Sequence, residues 1–154
     1  MKISRWGVFE VEIEGPREGN PFTDHWIRGR FTGKNEIVEA DGFYDGDGIY
    51  KVRFMPSFEG DYTYEIVSDF GGARTGAFQV EPALPGNHGP LRVANTFHMA
   101  YEDGTPYYSI GTTCYVWELQ SDVLIGQTFQ SLKESPFNKI RFCIFPKHYD
   151  FNLG

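Results

Sequence analysis

Apolar and polar residues alternate along the first half of the chain with the two-residue period of a β-strand. The clearest run is 50–54, in which Tyr50, Val52 and Phe54 fall on one side and Lys51 and Arg53 on the other. Comparable runs predict six strands, each with one apolar face, at 6–13, 25–32, 36–44, 49–55, 61–67 and 76–80. Turn residues separate these runs at regular intervals, which is typical of an antiparallel β-sandwich.

The sequence DGDG at 45–48 supplies residues that tolerate positive φ, so it predicts a tight hairpin turn before the strand 49–55. A calcium loop of the EF-hand type is a poor alternative. Counted from Asp45, the positions that need an acid or amide, a glycine and a glutamate hold Ile49, Tyr50 and Pro56.

Charged residues on the polar faces suggest which strands are neighbours. The strand 6–13 and the residue after it carry an acidic row, Glu10, Glu12 and Glu14, and the strand 25–32 carries Arg28 and Arg30. If these two strands pair, the acidic row faces the basic residues, which favours the pairing by roughly a few tenths of a kcal/mol per contact.

The pattern changes after residue 81. Residues 81–90, EPALPGNHGP, contain three prolines and two glycines and predict a stiff linker. Beyond it we predict strands at 91–93, 97–101, 107–113 and 139–145, and a helix at 121–135 that Ser121 or Asp122 caps and Pro136 ends. The apolar run 139–145 is of the kind buried on both faces of a parallel sheet. The predicted domains are therefore an antiparallel sandwich at 1–81, a linker at 82–90 and a parallel βα-type unit at 91–154.

Composition narrows the class of protein. The chain has 154 residues, a net charge of −7 and a pI near 5.0, which argues against nucleic acid as a partner. No run is long and apolar enough for a membrane helix, and the first residues show no secretory signal, so we expect a cytoplasmic protein. Cys114 and Cys143 have no metal or redox spacing and indicate buried free thiols, and no cofactor or metal site is predicted.

Several short segments resemble one group of bacterial glycoside hydrolases. NPFTD at 20–24, GFYDG at 42–46 and YKVRFMP at 50–56 resemble the immunoglobulin-like domain, DUF5060, that opens these enzymes ahead of a DUF4038 or apiosidase-like barrel. FHMAYEDGTPYY at 97–108, IGTT at 110–113, IRF at 140–142 and FPKHY at 145–149 resemble the first two strands of that barrel. The resemblance implies a mainly β chain, an immunoglobulin-like antiparallel sandwich followed by the first β/α units of a truncated TIM barrel. The family has Gly-Asp-Thr where this chain has Gly-Thr-Thr at 111–113, so no role is assigned to a carboxylate there.

Glycoside hydrolysis needs two carboxyl groups beside the scissile bond, and barrels place working groups at the carboxyl ends of their strands. Here those ends are 112–118 and 146–150, which supply Glu118 and Asp150 as candidates; the alternative is that both are solvated loop acids. In related barrels the acid and the nucleophile come from later strands, which implies that the catalytic pair lies beyond residue 154. The 154 residues by themselves should then be inactive and prone to self-association.

Trp117, His148 and Tyr149 are the candidate substrate contacts, because aromatic faces stack on sugar rings and histidine can bond hydroxyls. Alternatively, Trp117 packs under the rim and His148 is a structural hydrogen-bonding group. The implied ligand is an oligosaccharide or polysaccharide bound by the full barrel. The competing hypothesis is a non-catalytic sandwich module that binds carbohydrate or a partner domain.

Overall fold

The computed structural model of the chain describes residues 1–144. In residues 1–81, eight strands form two sheets that pack face to face, with one four-residue helix. In chain order the elements are β1 (Lys2–Ser4), β2 (Phe9–Glu14), α1 (Pro21–Asp24), β3 (Ile27–Gly33), β4 (Ile37–Asp41), β5 (Phe43–Gly46), β6 (Ile49–Phe54), β7 (Gly60–Ser68) and β8 (Arg74–Glu81). One sheet has the order β1-β8-β7-β3-β4 and the other the order β2-β6-β5. The prediction of a mainly β chain that opens with a β-sandwich is confirmed.

The core lies between the two sheets and is largely aromatic. Tyr50, Val52 and Phe54 of β6 are buried in it, whereas Lys51 and Arg53 lie on the opposite face, as the alternation predicts. The remaining fully buried members of the core are Phe9, Val11, Ile27, Phe31, Tyr62, Ile66, Phe78 and Val80. Each strand contributes its apolar side, so hydrophobic burial holds the two sheets together.

The first two predicted strands are not neighbours. β2 pairs antiparallel with β6, so that Glu10 lies opposite Arg53 and Glu12 lies opposite Lys51. β3 lies in the other sheet between β4 and β7, where acidic residues of those two strands face its arginines. Charge complementarity could not select the neighbour, because more than one strand offers the opposite charge.

The single strand predicted over 36–44 is in fact two strands, because the chain crosses from one sheet to the other at Gly42. The Gly42 N–H donates to the Ile27 carbonyl oxygen at 2.8 Å. A Cβ atom at Gly42 would lie 2.4 Å from the Lys51 carbonyl oxygen, so only glycine fits this close approach of three strands. β4 and β5 therefore belong to different sheets although one residue separates them.

The first predicted strand begins later than expected. Trp6 has a φ of 60°, in the left-handed region that bulky residues seldom adopt, and the extended strand starts only at Phe9. Ahead of this turn lies β1, which the sequence did not predict and which pairs in parallel with β8, Lys2 opposite Gln79. The five-stranded sheet is therefore mixed, and not purely antiparallel as expected.

The predicted hairpin turn at 45–48 is present. Asp47 and Gly48 have φ values of 50° and 78°, the positive values that a two-residue hairpin with the twist of the strands requires. Asp45 turns its carboxylate to Lys51, with Oδ2 2.6 Å from Nζ. Its side chain thus contributes to the packing of β5 on β6.

Residues 82–90, here called the connecting segment, contain no helix or strand. The elements that follow are β9 (Leu91–Ala94), β10 (His98–Tyr101), β11 (Pro106–Tyr107), β12 (Gly111–Thr113), a 3-10 turn (Trp117–Leu119), α2 (Asp122–Lys133) and β13 (Lys139–Arg141). β9 to β11 form an antiparallel sheet, whereas β12 and β13 pair in parallel with α2 between them in the chain. The strand–helix–strand unit is parallel as predicted, but the change from antiparallel to parallel pairing comes after β11 and not at the linker, because β9 to β11 pair with one another in antiparallel fashion. Ser121 caps α2 as predicted, its Oγ accepting from the Leu124 N–H at 3.4 Å.

The strand predicted over 107–113 is broken at 108–110, where Asn138 binds the backbone. Its Oδ1 accepts from the Ile110 N–H at 2.9 Å, and its Nδ2 donates to the Tyr108 carbonyl oxygen at 2.8 Å. These bonds replace ladder bonds, so β11 and β12 are separate strands in separate sheets.

The run 139–145 is of the kind that a complete parallel sheet buries on both faces, but the described part of it is exposed in this chain. Phe142 is 41% exposed and Ile144 is 82% exposed, and Ile110 on the neighbouring segment is 47% exposed. No residue of α2, the helix beside these strands, is fully buried. Apolar side chains of this part of the chain therefore contact water, as we expect for a parallel unit without further cover.

Candidate substrate-contact site at the ends of the parallel strands

The carboxyl ends of β12 and β13 meet at one edge because the two strands run in parallel. Backbone pairing continues past both strands. The Cys114 N–H donates to the Arg141 carbonyl oxygen at 2.9 Å, and the Cys143 N–H donates to the Tyr115 carbonyl oxygen at 3.0 Å. These bonds hold 114–118 beside 141–143, at the edge where parallel α/β folds bind ligands.

Trp117 lies in the 3-10 turn just past this edge. Its ring packs edge-to-face on Phe129 of α2, with centroids 4.9 Å apart, and on Phe142, with centroids 5.9 Å apart. Its indole Nε1 is shielded from water and has no hydrogen-bond acceptor among residues 1–144. The packing contact is therefore present, and the residue as a whole is half-buried. Direct contact with a substrate stays a prediction.

Glu118 follows Trp117 and is also half-buried. Its Oε2 atom is shielded from water and receives no hydrogen bond from residues 1–144. Burial of a carboxylate oxygen away from water is unfavourable unless a hydrogen-bond donor replaces the lost water. Because the oxygen is covered, a ligand hydroxyl reaches it only if the covering atoms move, and contact with a ligand stays a prediction.

The other predicted site residues, His148, Tyr149 and Asp150, lie outside the described residues and stay predictions. Two residues that the sequence analysis did not select lie at the same edge. The Arg141 guanidinium carbon is 5.7 Å from the centroid of the Tyr115 ring, and Tyr115 is 45% exposed. Tyr115 follows the predicted strand 107–113, and that position was the signal that could have identified it, whereas Arg141 lies inside the predicted strand 139–145.

Cys114 and Cys143 are free thiols that are half-buried, and not buried as expected. Within residues 1–144, no three His, Cys, Asp or Glu side chains are arranged to hold a metal ion. The same residues form no helix with the length and apolar character needed to cross a membrane.

The fold and this edge define a class: a β-sandwich followed by a parallel βα unit that carries aromatic and acidic side chains at its strand ends. Residues 2–69 match the family model described as a domain of unknown function, DUF5060. The chain is also similar to the crystal structure of a candidate glycoside hydrolase from Bacteroides vulgatus, with 39% identity and a TM-score of 0.90. That match covers 96% of this chain and 29% of the Bacteroides protein, so the chain spans less than a third of that protein's length.

A second solved structure, the Lin-41 filamin domain, matches 52% of this chain and 82% of its own length. Its TM-score of 0.40 and identity of 18% are too low to support a conclusion about this chain. A comparison with curated proteins found no match.

Proposed function

We propose that the chain is the amino-terminal part of a glycoside hydrolase. In this proposal residues 1–81 are an accessory β-sandwich, and residues from 91 onward open a sugar-hydrolysing (β/α)8 barrel of the DUF4038 kind. The observation that carries the proposal is the similarity to the Bacteroides vulgatus protein, which extends over both the sandwich and the parallel unit. The DUF5060 match at 2–69 supports the assignment of the sandwich.

The proposed reaction is hydrolysis of a glycosidic bond by two carboxyl groups, one that protonates the leaving oxygen and one that acts as nucleophile or base. This chain would supply substrate contacts at the first two strand ends of the barrel. Tyr115, which is 45% exposed, offers aromatic surface to a sugar ring. Trp117 and Glu118 would contact the sugar once the atoms that cover Trp117 Nε1 and Glu118 Oε2 move apart. His148, Tyr149 and Asp150 would lie on the second loop. The acid pair would come from later strands, so residues 1–154 by themselves should be inactive.

A chimera tests this proposal. Residues 1–154 replace the matching part of the Bacteroides vulgatus protein, and both proteins are assayed for glycoside hydrolysis on a panel of aryl glycosides and polysaccharides. The chimera should retain that activity, and residues 1–154 by themselves should show none. A folded chimera that hydrolyses none of these substrates would contradict the proposal.

Variants of the chimera separate the roles at the strand ends. Glu118→Gln should raise KM with a smaller effect on kcat, because a lost ground-state hydrogen bond weakens binding of substrate and transition state alike. Loss of kcat by several orders of magnitude would instead place Glu118 in the acid pair. Val123→Ala, on the exposed side of α2, is the matched control, since Val123 is 72% exposed.

A non-catalytic module that binds carbohydrate is the second candidate. The sandwich exposes two aromatic residues near α1, Phe22 at 72% and Trp26 at 53%, which could contact sugar rings. Retention of residues 1–81 on insoluble polysaccharide, abolished by Trp26→Ala, would favour this function. We expect no retention, because the aromatic residues of β2, β3, β6 and β7 lie in or against the core.

A further inference from the structure

Trp6 occupies an unusual conformation at the base of the sandwich. Its φ of 60° is strained for a residue with a large side chain, and yet its side chain is 9% exposed and its N–H donates to the Pro56 carbonyl oxygen at 3.0 Å. The Arg5 guanidinium carbon lies 4.1 Å from the ring centroid, and Arg5 Nε donates to the Ser57 carbonyl oxygen at 2.8 Å. A strained backbone of this kind persists only where the surroundings hold it.

Part of those surroundings is the connecting segment. A Cβ atom at Gly89 would lie 2.8 Å from Cδ2 and Cε2 of Trp6, so the bare glycine backbone packs directly on the indole ring. Asn87 Nδ2 donates to the Trp6 carbonyl oxygen at 3.4 Å, while its Oδ1 accepts from the Gly89 N–H at 3.0 Å. The amide of Asn87 therefore ties the turn at 87–89 to the sandwich.

His88 and Gly89 of this turn also contact the sheet β9–β11 and the turn that follows β10. His88 Nδ1 lies 2.7 Å from Asp103 Oδ2, and the Asp103 N–H donates to the His88 carbonyl oxygen at 3.3 Å. The His88 ring also packs on Tyr101, with centroids 5.4 Å apart. A Cβ atom at Gly89 would meet Glu102 Cβ at 2.9 Å. Residues 87–89 therefore touch the sandwich on one side and the turn after β10 on the other.

We propose that residues 87–89 and Trp6 form an intramolecular docking site that holds the sandwich and the β9–β11 sheet in one fixed arrangement. The Trp6 surface fits this turn. Gly89 packs on the indole ring, and the Asn87 side-chain amide donates to the Trp6 carbonyl oxygen. The connecting segment is then a structural element and not a flexible tether. This inference does not depend on whether the longer protein hydrolyses glycosides.

Two glycines of the connecting segment provide a matched test. Gly89 and Gly86 have nearly the same φ, 79° and 82°, but a Cβ atom at Gly86 would meet nothing within 4 Å. Gly89→Ala and Gly86→Ala therefore impose the same backbone strain, and only the first disturbs Trp6. Each variant of the full chain is treated with thermolysin, and cleavage before Leu84 is followed by mass spectrometry.

Cleavage of Gly89→Ala should be roughly tenfold faster than cleavage of the unchanged protein, because cleavage of a folded chain tracks the population of its opened form. Gly86→Ala should differ from the unchanged protein by much less. Near-ultraviolet circular dichroism should show that the sandwich core is intact in both. Equal cleavage rates for the two variants would overturn the proposal.

Hydrogen exchange on the unchanged protein gives a second readout that needs no variant. A docked segment predicts slow exchange at the amides of Asn87, Gly89 and Asp103, about a hundredfold or more below the rate of an unstructured peptide. Exchange at the unstructured rate would overturn the proposal even if Gly89→Ala failed to fold.

Discussion

The Tyr62 hydroxyl donates a hydrogen bond of 2.5 Å to Oε1 of Glu36, at the edge of the sandwich core. The same carboxylate oxygen accepts from the Ser57 N–H at 2.8 Å. Burial of the phenol, together with the neighbouring carboxylate, raises the pKa of Tyr62 above its usual value. Glu36 thus satisfies one donor from the segment between β6 and β7 and one from β7, although it lies before β4 in the chain.

Removal of this carboxylate should destabilise the sandwich. We expect Glu36→Ala to lower the free energy of unfolding by about 1–3 kcal/mol, because the Ser57 N–H loses its acceptor and the Tyr62 hydroxyl keeps only the longer bond of 3.2 Å to the Phe58 carbonyl oxygen. The loss should be smaller in a Tyr62→Phe background, where one donor is already absent. Urea unfolding of the four proteins in this double-mutant cycle measures the coupling. Glu39→Ala, on the exposed face of β4, is the control and should change stability by less than about 0.5 kcal/mol. If Glu36→Ala caused the same loss of stability in the unchanged protein and in Tyr62→Phe, the prediction would be contradicted.

Asp103 should make stability depend on pH. The backbone N–H of Thr105, followed by the side chain of His88, lowers the pKa of Asp103 to about 2. Since the unfolded-state pKa of aspartate is about 3.9, the charged form stabilises the fold fully above that value, and this contribution is lost as pH falls towards 2. Asp103→Asn should therefore be less stable than the unchanged protein at pH 7, and the difference should shrink between pH 4 and pH 2. The comparison comes from the urea unfolding midpoints of Asp103→Asn and the unchanged protein, measured from pH 7 downward, with Asp61→Asn as the control. A difference in stability that persists unchanged to pH 2 would rule out this role of Asp103.

The sandwich should fold by itself, and it should be more stable when β1 is included. A segment of residues 1–81 contains both sheets, whereas residues 6–80 lack β1, its parallel pairing with β8 and the Arg5 contact to Ser57. We expect a single cooperative urea transition for residues 1–81 and a lower midpoint for residues 6–80. A broad transition for residues 1–81, or equal midpoints, would show that this view of the sandwich is wrong.

The exposed apolar residues of the parallel unit should promote self-association of residues 1–154. Ile144 is 82% exposed, and burying such side chains gains roughly 25 cal/mol for each Å² removed from water. Light scattering should give a mass above that of one chain, and Ile144→Glu should lower it. Ile37→Glu is the matched control on the sandwich, where Ile37 is 59% exposed. A monomeric unchanged protein, or an equal effect of the two substitutions, would contradict the prediction.

Much of the secondary structure and the inward faces of the strands could be predicted from the sequence, because both are properties of short stretches. The alternation in β6 assigns Tyr50, Val52 and Phe54 to the core, and the structure buries all three. The turn at 45–48 follows from residues that tolerate positive φ, and the cap of α2 follows from Ser121. The strand–helix–strand order after residue 106 likewise predicted the parallel pairing, because parallel neighbours need a long connection.

The strand partners and the surroundings of the candidate site were decided only by the tertiary structure. β2 pairs with β6 and not with β3, and the chain passes from one sheet to the other at Gly42. Both outcomes depend on how residues that are distant in sequence pack together. The left-handed conformation of Trp6 is supported by Gly89 and Asn87, more than eighty residues away in the chain. The sequence by itself placed Trp117 and Glu118 at a strand end. Their burial could not be predicted, because the atoms that shield them from water are brought together only by the packing of the folded chain.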